Sequence, residues 1–432
     1  MVEGRVRVSV TADSCSGSVA KVERGAHFGA MRKDSVVTNR AVDLFCGCGG
    51  ISAGLRQAGL DVVAGIDNEP HFIKTFQRNF PKSLALVESI NDLSPARFGD
   101  LAGIKPGELE VLAGGPPCQG FSKNVPRRHR YLDDPKNLLV RSFLDYAEYL
   151  QPRILIMENV AEMKNGFDGQ YTQEVTDRLT ACGYTVSHAV LNAADYGVPQ
   201  RRRRAFFFAN NEGVKFSIPQ PTHFLRTTEP TLIAGLQHVS VWEAISDLPG
   251  LVHGQGEEWA EYSSEAQTPF QQAVRNPDGR VKNHVARRLQ PKQYERLASL
   301  EPGQGLKDLP KHLQVKGGYS GAYARLTKDM VAPTITRWVF HPGSGRWGHP
   351  VDTRLISIRE IARIQGFRDS YEFEGSYTQQ AGQLGNAVPP MLVEHLVRSL
   401  RKQLDGHRPA SNSSKSGNVS LSLSEGIEKA IA

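Results

Sequence analysis

The sequence is poor in several features that would place it quickly. It has only five cysteines in 432 residues, Cys15, Cys46, Cys48, Cys118 and Cys182. An odd count at irregular spacing excludes the disulfide framework of a small secreted domain and points to a reducing, cytosolic setting. Cys46 and Cys48 are one residue apart with no CxxC or HxxxH pair to complete a ligand set, so no metal is expected. No segment reaches the run of about 18 apolar residues that would span a bilayer. The N-terminal stretch, with Arg5, Arg7 and Asp13, has no apolar signal core. A soluble protein with no membrane partner is the expectation. Acidic side chains are the minority, 45 against 52 basic ones, and the net charge of +7 leans toward a polyanionic partner without identifying one.

What is present is enough apolar residue, 39% of the chain, for a large core, and a length that suits two or three domains of roughly 100–200 residues each. From Ala41 short apolar runs alternate with longer amphipathic stretches. AVDLF leads to a helix-like segment ending near Ala58, and DVVAGID to a second around Phe72–Phe80. The runs Leu109–Gly115, Arg153–Val160 and Arg204–Ala209 follow. This alternation predicts a mostly parallel sheet covered by helices on both faces. Residues 217–324 break the pattern, being rich in Pro, Gly, Gln and His, and read as a loop-heavy module. Helical periodicity returns over Ile356–Phe367 and after Asn386, where Val388, Met391, Leu392, Leu396 and Leu400 share one face behind Pro389 and Pro390. The expected organisation is a 1–38 extension, a 39–216 α/β domain, a loop-heavy 217–324 module, a 325–405 return to the α/β domain, and a disordered tail over 406–432.

In an open α/β sheet, ligands lie beyond the carboxyl ends of the strands, and four of these runs end in unusual sequence. The first ends in DLFCGCGG, where Gly47, Gly49 and Gly50 permit a tight turn ahead of a helix N-terminus. The spacing is not GxGxxG, which favours an adenosine ligand smaller than a dinucleotide. The second ends in GIDNEP, and Asp67 follows Gly47 by 20 residues, the offset at which an acid grips ribose hydroxyls. The third, GGPPCQGFS, holds Cys118 on a loop stiffened by two prolines. The fourth, ENV, brings Glu158 to the end of an apolar strand facing the same crevice. Further on, in QRRRR, Arg202 and Arg204 alternate into a strand and so share a face, while Arg201 and Arg203 are left to solvent or phosphate.

Taken in order, DLFCGCGG, IDNEP, GGPPCQGFS, ENV, QRRRR and the late QLGNAVPP resemble the cytosine-5 DNA methyltransferase family, over roughly residues 41–210 and 325–403. The resemblance implies a Rossmann-like methyltransferase fold with a small irregular target recognition domain. It implies S-adenosylmethionine as methyl donor and duplex DNA with a flipped cytosine as substrate. It also implies a monomer, plausibly paired with a cognate restriction endonuclease in a bacterial restriction-modification system. Cys118 would attack C6 of the base; Glu158 would bond N3 and the exocyclic amine; Arg204 would reach O2; Arg202 would support the loop and its carboxylates. Phe45, Gly47, Gly49, Gly50, Asp67, Asn68, Ile90, Asn386 and Ala387 would hold the cofactor. Two positions depart from the pattern: Asn68 stands where an aromatic or aliphatic residue is usual, and Ser89–Ile90 where an acid usually meets the adenine amine. Asn124–Asn137, KNHVARR and ITRWVFHPGSGRWGHP are candidate DNA contacts. An RNA cytosine-5 methyltransferase and a catalytically silent DNA-binding relative are the alternatives.

Overall fold

The structure is a computed structural model, and it describes residues 38–117, 138–164, 169–225, 236–315 and 321–407. The 1–37 stretch, the loop Asn124–Asn137 and residues from 408 onward lie outside the described residues.

The catalytic scaffold is a seven-stranded sheet in the order β3-β2-β1-β4-β5-β7-β6. Its strands are β1 (Arg40–Leu44), β2 (Asp61–Asp67), β3 (Leu84–Val87), β4 (Val111–Gly114), β5 (Ile154–Val160), β6 (Thr185–Asn192) and β7 (Arg203–Asn210). The first five run parallel, and β7 pairs antiparallel with both β5 and β6. Helices α1 (Gly50–Gln57), α2 (Pro70–Asn79), α3 (Pro95–Ala102), α4 (Leu138–Leu150) and α5 (Gln170–Ala181) connect them. The central strands are mostly apolar because both faces are covered, with exceptions such as Asp43 in β1 and Glu158 and Asn159 at the end of β5. β7 shows this residue by residue. Phe206 and Phe208 join the apolar cluster on one side of the sheet, while Phe207 and Ala209 join the cluster on the other. Three consecutive phenylalanines therefore serve two cores.

Between the sheet and the C-terminal helices come short elements: β8 (His223–Phe224), β9 (Leu236–Gln237), α6 (Val241–Ile245), β10 (Trp259–Glu261), α7 (Pro269–Val274), β11 (Arg280–Lys282) and α8 (Pro291–Ala298). α9 (Ile358–Ile364), α10 (Tyr377–Asn386) and α11 (Pro390–His407) follow. Val241, Ala244, Phe270, Val274 and Val281 of the middle stretch belong to the same apolar cluster as Ile358, Ile361 and Leu384 of the return segment. Buried charge fastens the two together. Arg363 of α9 pairs with Asp247 and, at 2.6 Å, with Asp369, all three side chains being fully buried. Arg359 donates to the carbonyls of Lys282 (2.8 Å) and Tyr371 (2.7 Å).

α11 begins at Pro390, where the missing N–H costs the helix nothing. It buries Leu392, Val393, Leu396, Val397 and Leu400. Its approach to α1 is so close that a Cβ on Gly54 would lie 2.5 Å from the Val393 Cβ and 2.6 Å from the Pro390 carbonyl oxygen. The last helix is thereby built onto the first. Among the described residues no helix is long and apolar enough to cross a membrane.

Candidate active site

The carboxyl ends of β1, β2, β4 and β5 open on one edge of the sheet, and β7 starts there because it runs the opposite way. Two groups of residues lie along this edge.

The first group surrounds the turn after β1. Phe45 has φ of +60°, a left-handed conformation rare outside glycine and one that marks a constrained turn. The Gly47 N–H donates to Asp67 Oδ2 at 2.9 Å, and the Glu69 N–H to Asp67 Oδ1 at 3.0 Å, so the acid at the end of β2 fixes the turn after β1. Phe45, Asp67, Asn68 and Ile90 line one cleft together with Ile66, Pro117 and Leu139, with Glu88 and Ser89 at its rim. Burial raises the Asp67 carboxyl above the usual aspartate range, against the pull of the two backbone N–H groups. The apolar side chains of this cleft can take a flat base such as adenine, and the free lone pairs of Asp67 can accept from ribose hydroxyls.

Gly49 and Gly50 have a different reason to be glycine. A Cβ on Gly49, at φ +88°, would lie 2.5 Å from the Tyr371 hydroxyl, and one on Gly50 would lie 2.5 Å from the Val388 carbonyl oxygen and 3.2 Å from the Ala387 Cβ. The space beside them is filled by protein, Tyr371 donating to the Cys48 carbonyl. Ala387 is thus seated against the start of α1, whereas Asn386 is exposed at the end of α10. Beneath the turn Asp43 is wholly buried. Its Oδ2 accepts from the N–H of Ser52 at 3.0 Å and from the Ser52 hydroxyl, while Oδ1 has no hydrogen-bond partner. Burial pushes this carboxyl up to about 7.

The second group joins β4, β5 and β7. Glu158 is buried and pairs with Arg204, Nε to Oε1 at 2.9 Å. Its Oε2 would lie 3.2 Å from a Cβ on Gly115, so glycine at that position makes room for the carboxylate. The Asn159 amide donates to the Pro116 carbonyl at 3.0 Å. Asn159 therefore holds the backbone that leads toward Cys118, and Glu158 lies beside it. Cys118 itself lies outside the described residues.

Arg202 is buried as the alternation predicts, but its hydrogen-bond partners are not carboxylates. Its two terminal nitrogens donate to the carbonyls of Ile335 (3.0 Å) and Gly385 (3.2 Å), and its Nε has no partner. Burial lowers its pKa well below the ordinary arginine value. The guanidinium ties the strand bearing Arg204 to two distant segments, an exposed strap around residue 336 and the end of α10. Neighbouring bonds repeat the tie: Ile335 N–H to Gln200 Oε1 at 2.9 Å, Thr334 hydroxyl to Arg201 carbonyl at 2.6 Å, and Ala332 N–H to Pro199 carbonyl at 3.1 Å.

A family model for C-5 cytosine-specific DNA methylases matches residues 39–402. The chain belongs to that family. It is 30% identical to the type II methyltransferase M.AgeI of Thalassovita gelatinovora over 84% of this chain and 99% of that one. It is 33% identical to the type II methyltransferase M.DdeI of Desulfomicrobium norvegicum over 83% and 88%. A prophage-encoded protein of E. coli, assigned as a DNA modification methyltransferase, superposes with a TM-score of 0.67 at 24% identity over 85% of this chain and 99% of its own, a likeness of fold.

Among C-5 cytosine-specific DNA methylases this chain displays several site-building residues that the sequence did not single out. Tyr371 and Gln383 are the clearest. Gln383 accepts from the Thr75 hydroxyl at 2.8 Å and donates to the carbonyls of His71 and Glu374, both at 3.1 Å, tying α10 to α2. The position of Gln383 inside QLGNAVPP was the available signal; nothing near Tyr371 provides one.

Proposed function

We propose that this protein transfers a methyl group from S-adenosylmethionine to C5 of a cytosine in duplex DNA, acting as the modification enzyme of a bacterial restriction-modification system. The observation that carries the reading is the Glu158–Arg204 pair, buried over Gly115 three residues before Cys118. Such a pair can bond the edge of a cytosine while a thiol approaches its ring. The type II relatives support the biological role. The reading places the enzyme in the bacterial cytoplasm, as a monomer on DNA, with an endonuclease of the same specificity as its counterpart.

In this reaction Cys118 adds as thiolate to C6, and the electron pair moved into the ring makes C5 nucleophilic. Glu158 donates a proton to N3 as the electron pair enters the ring and accepts from the exocyclic amine, so no net negative charge is left on the base, and Arg204 holds O2. Arg202 positions Arg204 through the backbone. Loss of the C5 proton and departure of the Cys118 sulfur restore the aromatic ring. The cytosine must leave the helix for these contacts to form. S-adenosylmethionine, when bound, supplies the electrophilic methyl group. Phe45, Asp67, Asn68 and Ile90 would hold its adenosine, with Gly47, Gly49, Gly50, Asn386 and Ala387 toward its methionine end.

Bisulfite sequencing of DNA from cells expressing the protein should show one short sequence methylated at a single cytosine. Cys118→Ala should abolish that mark while binding of S-adenosylhomocysteine persists, and duplex carrying 5-fluorocytosine at the target should be trapped covalently. Methyl transfer to tRNA with none to DNA would overturn the proposal.

A further inference from the structure

Arg202 is one of two buried links between the strand that carries Arg204 and the end of α10. The other runs through Gln200 and Gln365, whose side chains are both fully buried. Gln200 Oε1 accepts from the Ile335 N–H at 2.9 Å, its Nε2 donates to Gln365 Oε1, and Gln365 Nε2 donates to the Ala387 carbonyl. The direction of this chain is forced at both ends. A backbone N–H can only donate and a carbonyl can only accept, so each amide must turn its oxygen toward Ile335 and its nitrogen toward Ala387. A carboxylate in either place has no donor, and an apolar chain of the same length has neither group.

The two links bracket Asn386. Arg202 holds the carbonyl before it, at Gly385 (3.2 Å), and Gln365 the carbonyl after it, at Ala387. The segment they hold lies directly on the donor turn. A Cβ on Gly50 would meet the Ala387 Cβ at 3.2 Å and the Val388 carbonyl oxygen at 2.5 Å, and the Cys48 thiol donates to the Gln383 carbonyl at 3.7 Å. At the other end Gln200 is four residues before Arg204, the partner of Glu158. Gln365 is itself fixed, since it caps α9 and its N–H donates to the Ile361 carbonyl at 2.9 Å. Contacts thus run without a gap from the donor turn to the base-side strand.

Methyl transfer to a carbon nucleophile needs the attacking carbon, the methyl carbon and the leaving sulfur in line, and a misplacement of about 1 Å can cost about 10²-fold in rate. With the donor at the turn after β1 and the base at β5 and β7, the reaction depends on the register between these two sides. We propose that Gln365 is a positioning residue for methyl transfer: paired with Gln200, it sets the Gly385–Val388 segment, and the donor turn against it, in register with the strand that carries Arg204. The inference rests on the cytosine-5 DNA reading above and adds to it a residue too deeply buried to touch either ligand.

Thiolate addition to C6 makes C5 nucleophilic toward a solvent proton as well as toward a methyl group. With no donor present, C5 takes a proton from water, loses its original hydrogen as a proton and releases the Cys118 thiolate, so the hydrogen is exchanged and nothing is oxidised or reduced. Exchange therefore reports the base side alone, and methyl transfer reports the register of the two sides. The test uses the full chain and a duplex carrying the methylated sequence found by bisulfite sequencing, with tritium at C5 of the target cytosine. Gln365→Met keeps the length of the side chain and removes both hydrogen bonds. It should slow single-turnover methyl transfer at saturating S-adenosylmethionine by roughly ten- to a hundredfold, while donor-free tritium release stays within about threefold of wild type. Gln200→Met combined with Gln365→Met should transfer methyl no more than about threefold slower than the slower single variant, because one chain is cut either way. Equal loss of transfer and release in Gln365→Met, unchanged transfer, or losses that multiply in the double variant overturn the proposal. If wild type neither methylates DNA nor releases tritium from it, it is the underlying reading that has failed, and this is seen before any variant is made.

Discussion

The two ends of the active edge solve different electrostatic problems. On the donor side, around β1 and β2, Asp43 is buried and Asp67 half-buried, their hydrogen bonds come from backbone N–H groups and Ser52, and among the described residues neither is in an ion pair. On the base side, around β5 and β7, Glu158 is paired with Arg204, and Arg202 is sunk beneath them with two carbonyls as partners. On the proposed reading the donor side does without countercharge, because Asp67 is held by two backbone N–H groups and the buried Asp43 carboxyl is raised to about 7. A site that must bind a neutral base and then stabilise developing charge needs both signs already in place. The donor side is thus a mould made by packing, and the base side a preset dipole.

If that contrast is correct, changes on the two sides should fall on different measurements. Glu158→Gln should have the largest effect, lowering the single-turnover rate of methyl transfer by about 10²–10³-fold with S-adenosylhomocysteine affinity, by calorimetry, within twofold of wild type. A loss of cofactor binding with the rate intact would break the comparison. Arg202→Ala leaves two carbonyls without their donor in a buried site and should cost roughly 2–4 kcal/mol in urea unfolding. Arg202→Lys should recover part of that loss, one ammonium reaching one carbonyl. On the donor side, Gly49→Ala should cost roughly 1–3 kcal/mol, because the left-handed backbone disfavours a Cβ and the Tyr371 hydroxyl occupies its place.

The smallest effect per unit change is a pH dependence. The Asp43 carboxyl sits at about 7 in the folded protein against 3.8 for the unperturbed group. Between these values the native state holds a proton that the unfolded state has lost. The stability associated with this group is therefore complete below the lower value and declines as pH rises toward neutrality, by at most about 1.4 kcal/mol per pH unit. Asp43→Asn should remove that slope in thermal melts followed from pH 4 to pH 7. A slope of the same size in the variant would mean that other groups carry it.

The sequence was a good guide wherever a residue's surroundings are its own chain neighbours. RAFFFA reads as a strand because five of its six positions are apolar, and AVDLF because four of its five are. The alternation of Arg202 and Arg204 follows from the geometry of an extended chain. Edge strands were harder: β3 is only four residues long and half-exposed, and β6 mixes polar with apolar residues, so its period is faint. Charge was the chief source of misjudgement. Nothing within ISIREIARIQGF shows that Arg363 is matched by Asp247, 116 residues away. Arg202 was expected beside carboxylates and is bonded to carbonyls of residues 133 and 183 positions distant. The glycines of DLFCGCGG suggest an approaching ligand, but their local sequence does not show that Gly49 and Gly50 also make room for Tyr371 and Val388. Partners that far along the chain leave no local trace.

The seating of α11 on α1 has a consequence for how the protein is made. The ribosome produces α1 early, but the helix that Gly54 was made small to receive is roughly 350 residues later. At about 5–20 residues per second the interval is on the order of 20–70 seconds. Throughout it the apolar face of α1 and the turn before it lack their final cover, so a nascent chain can hold a nearly complete sheet and still be unable to finish its donor loop. Competence arrives late and all at once.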